Sequence, residues 1–105
     1  MSTELRAEID KCVEYISSLG GVLQIYLYGS YAYGEPRKAS DIDLMIIIEN
    51  NLDPFKLAYT IRRGLTDTDY MVDIVVNRIS AFEHASINPS LQQTIKENGI
   101  LLYTT

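Results

Sequence analysis

Three aspartates stand where a chain folding around an apolar interior has reason to avoid charge. Asp41 and Asp43 lead into Leu44-Met45-Ile46-Ile47-Ile48, and Asp73 is the one charge in the apolar run 71–76. Alternate side chains of a strand leave the same face, so Asp41 and Asp43 present their carboxylates together. If the strand carrying Asp73 lies beside theirs, it adds a third oxygen donor at the same place. Carboxylates gathered this closely repel one another unless a cation compensates them. Hard oxygen donors in this number suit Mg²⁺, which takes one or two protein carboxylates and completes its shell with water and phosphate. Two such ions can stabilise both the attacking and the leaving oxygen of a phosphoryl or nucleotidyl transfer.

A second feature complements the first. Gly29-Ser30 follows the apolar, β-branched and aromatic run 22–28. A glycine at a strand end lets the backbone come close to a ligand, and N–H groups at the start of a helical turn attract anions. The Ser30 hydroxyl adds a donor for phosphate. One loop can then hold a triphosphate while the neighbouring strand holds the metal.

These residues need elements to position them. Leu5, Ile9, Cys12, Val13, Ile16 and Leu19 recur at helical spacing, which predicts an amphipathic helix over 3–19, ended by Gly20-Gly21. Residues 22–28 form a strand, 30–34 at most one helical turn, and 41–49 a strand apolar on both faces and therefore central. Asp53-Pro54 reads as a helix start, followed by the apolar stripe Phe55, Leu57, Ala58, Ile61 and Leu65. Residues 71–76 form a third strand, Ser80-x-x-Glu83 a capping box opening a short helix, Asn88-Pro89 the start of another that Gly99 ends, and 100–103 a last strand. The order predicts one domain over 1–105, α/β or α+β, with helices packed on a mixed sheet of about four strands.

Composition narrows the classes. With 105 residues, 47% hydrophobic and 22% charged, the chain has the make-up of one soluble domain and little length left for a separate substrate-recognition domain. A net charge of −5 argues against a surface that grips nucleic acid through its phosphates. The single cysteine, Cys12, falls on the apolar helix stripe and reads as core filling. The single histidine, His84, has no second imidazole with which to complete a zinc site. No apolar run is long enough to span a bilayer, and nothing at the N-terminus resembles a signal peptide, so the cytoplasm is the expected location. Tyr26, Tyr28 and Tyr103 fall in strands and read as core or sheet residues. Tyr31 and Tyr33 flank the proposed phosphate loop and could line a nucleotide pocket, and Arg62-Arg63 reads as a solvated helix face.

Gly29-Ser30, then ten residues, then Asp41-x-Asp43, with Gly34 and Ser40 inside the interval, resembles the signature of the nucleotidyltransferase fold superfamily. Nearly the whole chain, including Asp73 and the closing segment 88–103, looks like its minimal form, the prokaryotic MNT proteins usually encoded beside a HEPN-domain protein. The resemblance implies transfer of AMP from ATP to a hydroxyl acceptor. It implies that Gly29, Ser30 and Ser40 belong to the nucleotide-binding loop, Ser40 as a hydrogen-bonder that shapes the turn. It further implies that Asp41 and Asp43 bind two Mg²⁺ ions, and that Asp73 binds one of them and takes the acceptor's proton. The expected partner is a HEPN-domain toxin, modified on a tyrosine within a hetero-oligomer. Many relatives carry Arg where this chain has Tyr33, and some where it has Tyr31; Arg37 or Lys38 could replace that cation. Two alternatives stay open: a non-catalytic antitoxin that neutralises its partner by covering it, and transfer to a small-molecule hydroxyl.

Overall fold

A computed structural model describes residues 2–33, 41–66 and 68–105. Among them the chain runs α1 (Thr3–Ser17), β1 (Val22–Tyr28), α2 (Ser30–Tyr33), β2 (Ile42–Ile48), α3 (Pro54–Gly64), β3 (Val72–Arg78), α4 (Ile79–Ala85), α5 (Leu91–Asn98) and β4 (Ile100–Thr104). The strands form one mixed sheet in the order β3-β2-β1-β4. β2 and β3 are parallel, and β1 runs antiparallel to both β2 and β4. The parallel pair needs a crossover, which α3 supplies, and this brings β3 beside β2.

β2 is apolar throughout its second half because helices cover both of its faces. Ile42, Leu44, Ile46 and Ile48 pack with Leu5, Ile9, Cys12 and Ile16 of α1 and with Ala58 and Ile61 of α3. Met45 and Ile47, on the opposite face, pack with Phe82 of α4 and Ile95 of α5. Cys12 is buried, as its place on the stripe predicts. Gly20 and Gly21 both take positive φ in the turn from α1 into β1, a conformation that Cβ-bearing residues disfavour. The expected start of α3 is also met: Asp53 accepts from the Phe55 and Lys56 N–H groups at 2.9 and 3.4 Å, with Pro54 in the first turn.

Three expectations need correction. Phe55, placed on the buried stripe of α3, is 85% exposed, whereas Ala58 and Ile61 carry that stripe inward. The Ser80–Glu83 capping box does not form. Helix α4 begins at Ile79 with no side-chain cap, and the Ser80 N–H donates instead to Asn50 Oδ1 at 3.0 Å. Nor does Asn88-Pro89 open the next helix. Ser90 caps α5, its hydroxyl accepting from the Gln93 N–H at 3.1 Å, since serine satisfies an unpaired helix donor that proline leaves untouched. No helix among the described residues is long and apolar enough to cross a membrane.

Candidate active site

The register of the sheet brings the sequence-predicted acids together. Asp43 of β2 is paired with Asp73 of β3, and on its other side with Tyr28 of β1. Paired residues on neighbouring strands project to the same face, so Tyr28, Asp43 and Asp73 form a row across three strands. The face is the one on which Met45 and Ile47 meet α4 and α5. These helices cover the middle of the sheet, where Phe82 stacks on Tyr26 with ring centroids 6.0 Å apart, and the acidic row lies beyond them. Asp41 immediately precedes β2 and, two residues before Asp43, shares its parity. Asp41 and Asp73 are exposed and Asp43 is half-buried.

Gly29 sits directly against this row. Its φ is +76°, and a Cβ placed on it would collide with Asp43 Oδ2 and lie 3.1 Å from the Asp43 Cγ. Conformation and space therefore both disfavour a side chain here, and one could enter only if Asp43 moved. The Gly29 carbonyl accepts from the Ala32 and Tyr33 N–H groups, each at 3.0 Å, so the chain turns from β1 straight into α2. Ser30, the first residue of that turn, is exposed. The sharp turn on Gly29 places Ser30 immediately after the residue that meets Asp43.

The electrostatics report the same convergence. Burial raises the Asp43 carboxyl above its usual pKa, and the charges of Asp73 and then Asp41 raise it further. Tyr28 is pushed up to about 12, by burial first and then by Asp43, Asp73 and Tyr33. Burial also raises Tyr33, with Asp43 adding to the rise and the Gly29 backbone opposing it. The aromatic flank of the site therefore stays uncharged at neutral pH. Sequence reasoning placed Tyr28 in the sheet and missed its place in this row. Counting back from Gly29 gives its strand, but the register that sets it opposite Asp43 is a tertiary fact.

Among the described residues no three His, Cys, Asp or Glu side chains form a ready-made metal cage. The aspartates feel one another's charge without closing into one. A divalent ion that takes most of its shell from water and phosphate does not require a closed protein cage, and an all-oxygen, mutually repelling donor set fits it. Of the remaining sequence-predicted positions, Ser40, Gly34, Arg37 and Lys38 lie outside the described residues. Tyr33 is 44% exposed, at the end of α2 and within electrostatic reach of Asp43. Tyr31 instead packs partly against the α1–α3 core. His84 is exposed on α4.

Known proteins resemble this chain in sequence and fold. The chain is 29% identical, over 86% of its length and 92% of the relative's, to "Putative protein adenylyltransferase MJ0604" of Methanocaldococcus jannaschii. A crystal structure of "a putative nucleotidyltransferase from Sulfolobus solfataricus" superposes with a TM-score of 0.64, at 18% identity, over 99% of this chain and 89% of that one. A toxin-antitoxin structure with AMP-PNP superposes at 0.59 with 27% identity, covering 94% of this chain and 73% of that one. A toxin-antitoxin MntA-HpeT mutant with two aspartates, two residues apart, changed to glutamate gives 0.58 and 26%, over 94% and 73%. The family model "Polymerase beta, Nucleotidyltransferase" matches residues 10–105, and the chain belongs to that nucleotidyltransferase family.

Proposed function

We propose that the protein transfers the adenylyl group of ATP to a hydroxyl of a partner protein, as the antitoxin of a toxin–antitoxin pair. The observation that carries this reading is the pairing of Asp43 with Asp73 against a glycine whose Cβ would displace the Asp43 carboxylate. Asp41, Asp43 and Asp73 would hold Mg²⁺, which supplies charge neutralisation at the transferring phosphate when bound. The turn at Gly29 and Ser30 admits the triphosphate close to the backbone, and the Ser30 hydroxyl donates to it. The acceptor oxygen attacks the α-phosphorus, the bond from that phosphorus to the β-phosphate oxygen breaks, and pyrophosphate leaves. Asp73, exposed on the outer strand, is the carboxylate from which the acceptor is reached, and its Oδ takes the acceptor's proton. The likeness to toxin-antitoxin structures supports a toxin as partner, and we assign the acceptor to a tyrosine of a HEPN-domain toxin. The chain acts as one minimal domain in the cytoplasm, and the acceptor comes from the other protein.

Intact-mass measurement tests the assignment. The protein, Mg²⁺-ATP and the HEPN protein are mixed, and the expected result is one or more AMP additions on the partner, abolished by Asp41→Ala with Asp43→Ala. No addition with the wild type overturns it. One observation favours a second reading, neutralisation by binding alone: Tyr33 stands beside Asp43 where a cation would help hold phosphate. On that reading the double alanine variant still protects cells from the toxin.

A further inference from the structure

The outer face of α3, where it borders the edge strand β3, carries side chains that neither the core nor the acidic row uses. Phe55, Tyr59, Arg62 and Arg63 fall at i, i+4, i+7 and i+8 of one helix, so they form a single stripe. Phe55 is 85% and Tyr59 61% exposed. Arg63 stacks over the Tyr59 ring at 5.7 Å and donates from Nη1 to its hydroxyl at 3.1 Å, which fixes an aromatic–guanidinium pair on the surface. Arg62 reaches across to the edge strand, donating to the Ile74 carbonyl at 3.5 Å. Between helix and strand runs a groove of about 240 Å³ lined by Phe55, Ala58, Arg62, Ile74 and Val76. Arg62 also borders the next depression along the seam, about 310 Å³, which ends at Met71. Met71 is 73% exposed.

Charge is distributed unevenly here. In a chain of net charge −5, α3 carries Lys56, Arg62 and Arg63 and no acidic residue. Among the described residues no carboxylate forms an ion pair with any of the three. The cations therefore face solvent, flanked by exposed aromatic and thioether side chains. Tyr, Phe, Met and Arg in this arrangement are the residue types that anchor protein interfaces. A second copy meeting the same face about a two-fold axis would set arginines against arginines, and like charges apposed in this way oppose association.

We propose that the α3–β3 seam is the docking surface for an acidic segment of the protein acceptor. Its carboxylates pair with Arg62 and Arg63, and its apolar residues seat between Phe55, Tyr59 and Met71. The inference rests on the reading that the acceptor is a protein, and gives that reading a place on the surface. It also gives this domain a means of selecting its substrate. Asp73 lies on β3, between Val72 and Ile74 of the groove wall, with its side chain leaving the opposite face of the sheet, so a partner held in the groove reaches the outermost carboxylate of the row by passing round this edge strand.

The test uses the full chain, without nucleotide. The probe is a fluorescein-labelled amphipathic helical peptide of glutamate and leucine, with the lysine-for-glutamate peptide and oligouridylate as comparators. The acidic peptide should bind at least about tenfold more tightly than the basic one, and more weakly as salt shortens the screening length. Arg62→Glu combined with Arg63→Glu should weaken it roughly tenfold or more. Phe55→Ala, at a site too exposed to unsettle the fold, should weaken it several-fold. Arg6→Glu, on α1, should leave it unchanged. Amide chemical shifts should move on α3 and β3. Equal binding of both peptides, tighter binding of oligouridylate, or shift changes confined to other elements each overturn the proposal. Because no ATP is present, a negative result removes the docking surface and leaves adenylyl transfer standing. Peptide binding without any transfer activity does the reverse.

Discussion

Gly29→Ala separates two demands that the site makes of one residue, and Gly20→Ala supplies the reference. Both glycines are left-handed, with φ of +76° and +81°. A Cβ on Gly20 meets nothing within 4 Å, whereas a Cβ on Gly29 meets the Asp43 side chain. Left-handed backbone costs a Cβ-bearing residue about 1–2 kcal/mol, offset by roughly 0.4–1 kcal/mol because alanine restricts the unfolded chain. Gly20→Ala should therefore lower stability by about 1 kcal/mol, which for a domain this size is roughly 4–8 °C in Tm. Gly29→Ala carries the same backbone cost plus that of overpacking, about 1–3 kcal/mol. Rotation of Asp43 about its χ angles relieves only part of this, since the Asp43 Cβ itself lies 3.3 Å from the added methyl. The rotation also carries the carboxylate out of the row. Thermal and urea unfolding of both variants, with and without Mg²⁺-ATP, measure these terms. Gly29→Ala should be the less stable of the two, with a smaller gain in Tm from Mg²⁺-ATP. In an Asp43→Ala background the difference between the two glycine sites should nearly vanish, a coupling of about 1–3 kcal/mol. If the two variants unfold alike and respond alike to Mg²⁺-ATP, Gly29 does not hold Asp43 in place, and the argument for the site fails.

Two further outcomes are expected. Asp43→Asn should raise the metal-free melting temperature at neutral pH and shrink the stabilisation by Mg²⁺-ATP. The sign follows from linkage: burial, Asp73 and Asp41 raise the folded-state pKa of Asp43 above the ordinary 3.8. Its contribution is thus fully present below 3.8 and is lost as pH rises through the folded value, a loss that asparagine avoids; a melting temperature unchanged by the substitution at both pH 3 and pH 7 would count against convergence of the three acids. Asp53→Ala removes the oxygen that accepts from Phe55 and Lys56, and should cost about 1 kcal/mol, or roughly 4–8 °C in Tm, with no effect on the response to Mg²⁺-ATP.

Much of the fold was legible because its signals are local. The α1 stripe, the paired glycines after it, the doubly apolar β2 and the Asp53-Pro54 start of α3 each follow from a few consecutive residues, and the structure bears them out. The misreadings have a common origin in tertiary competition. Ser80 has the spacing of a capping box, but Asn50, thirty residues earlier, reaches its N–H first. Phe55 has the right helical phase, yet α3 rests on Ala58 and Ile61, which leaves the first-turn aromatic over the edge strand rather than beneath it. Tyr28 was readable as a strand residue, but its neighbour across the sheet was not.

Fold and site are bound together by parity. In β2 the even-numbered residues from Ile42 to Ile48 enter the α1–α3 core, and Met45 and Ile47 face α4 and α5. A one-residue slip would exchange these faces and drive Asp43 into the fully buried layer beside Ile25 and Ile61, where an unpaired carboxylate is far more costly than any lost methylene. The aspartates thus act as register markers before any nucleotide binds, because they are tolerated only at the sheet end that α4 and α5 leave open. Partial burial of Asp43, with repulsion from Asp73 and Asp41 added to it, is the cost of the arrangement. A cation bound there would offset that cost. The same end of the sheet lies beside the cationic seam of α3 and β3, so a partner guided by charge would arrive at the edge strand that carries Asp73.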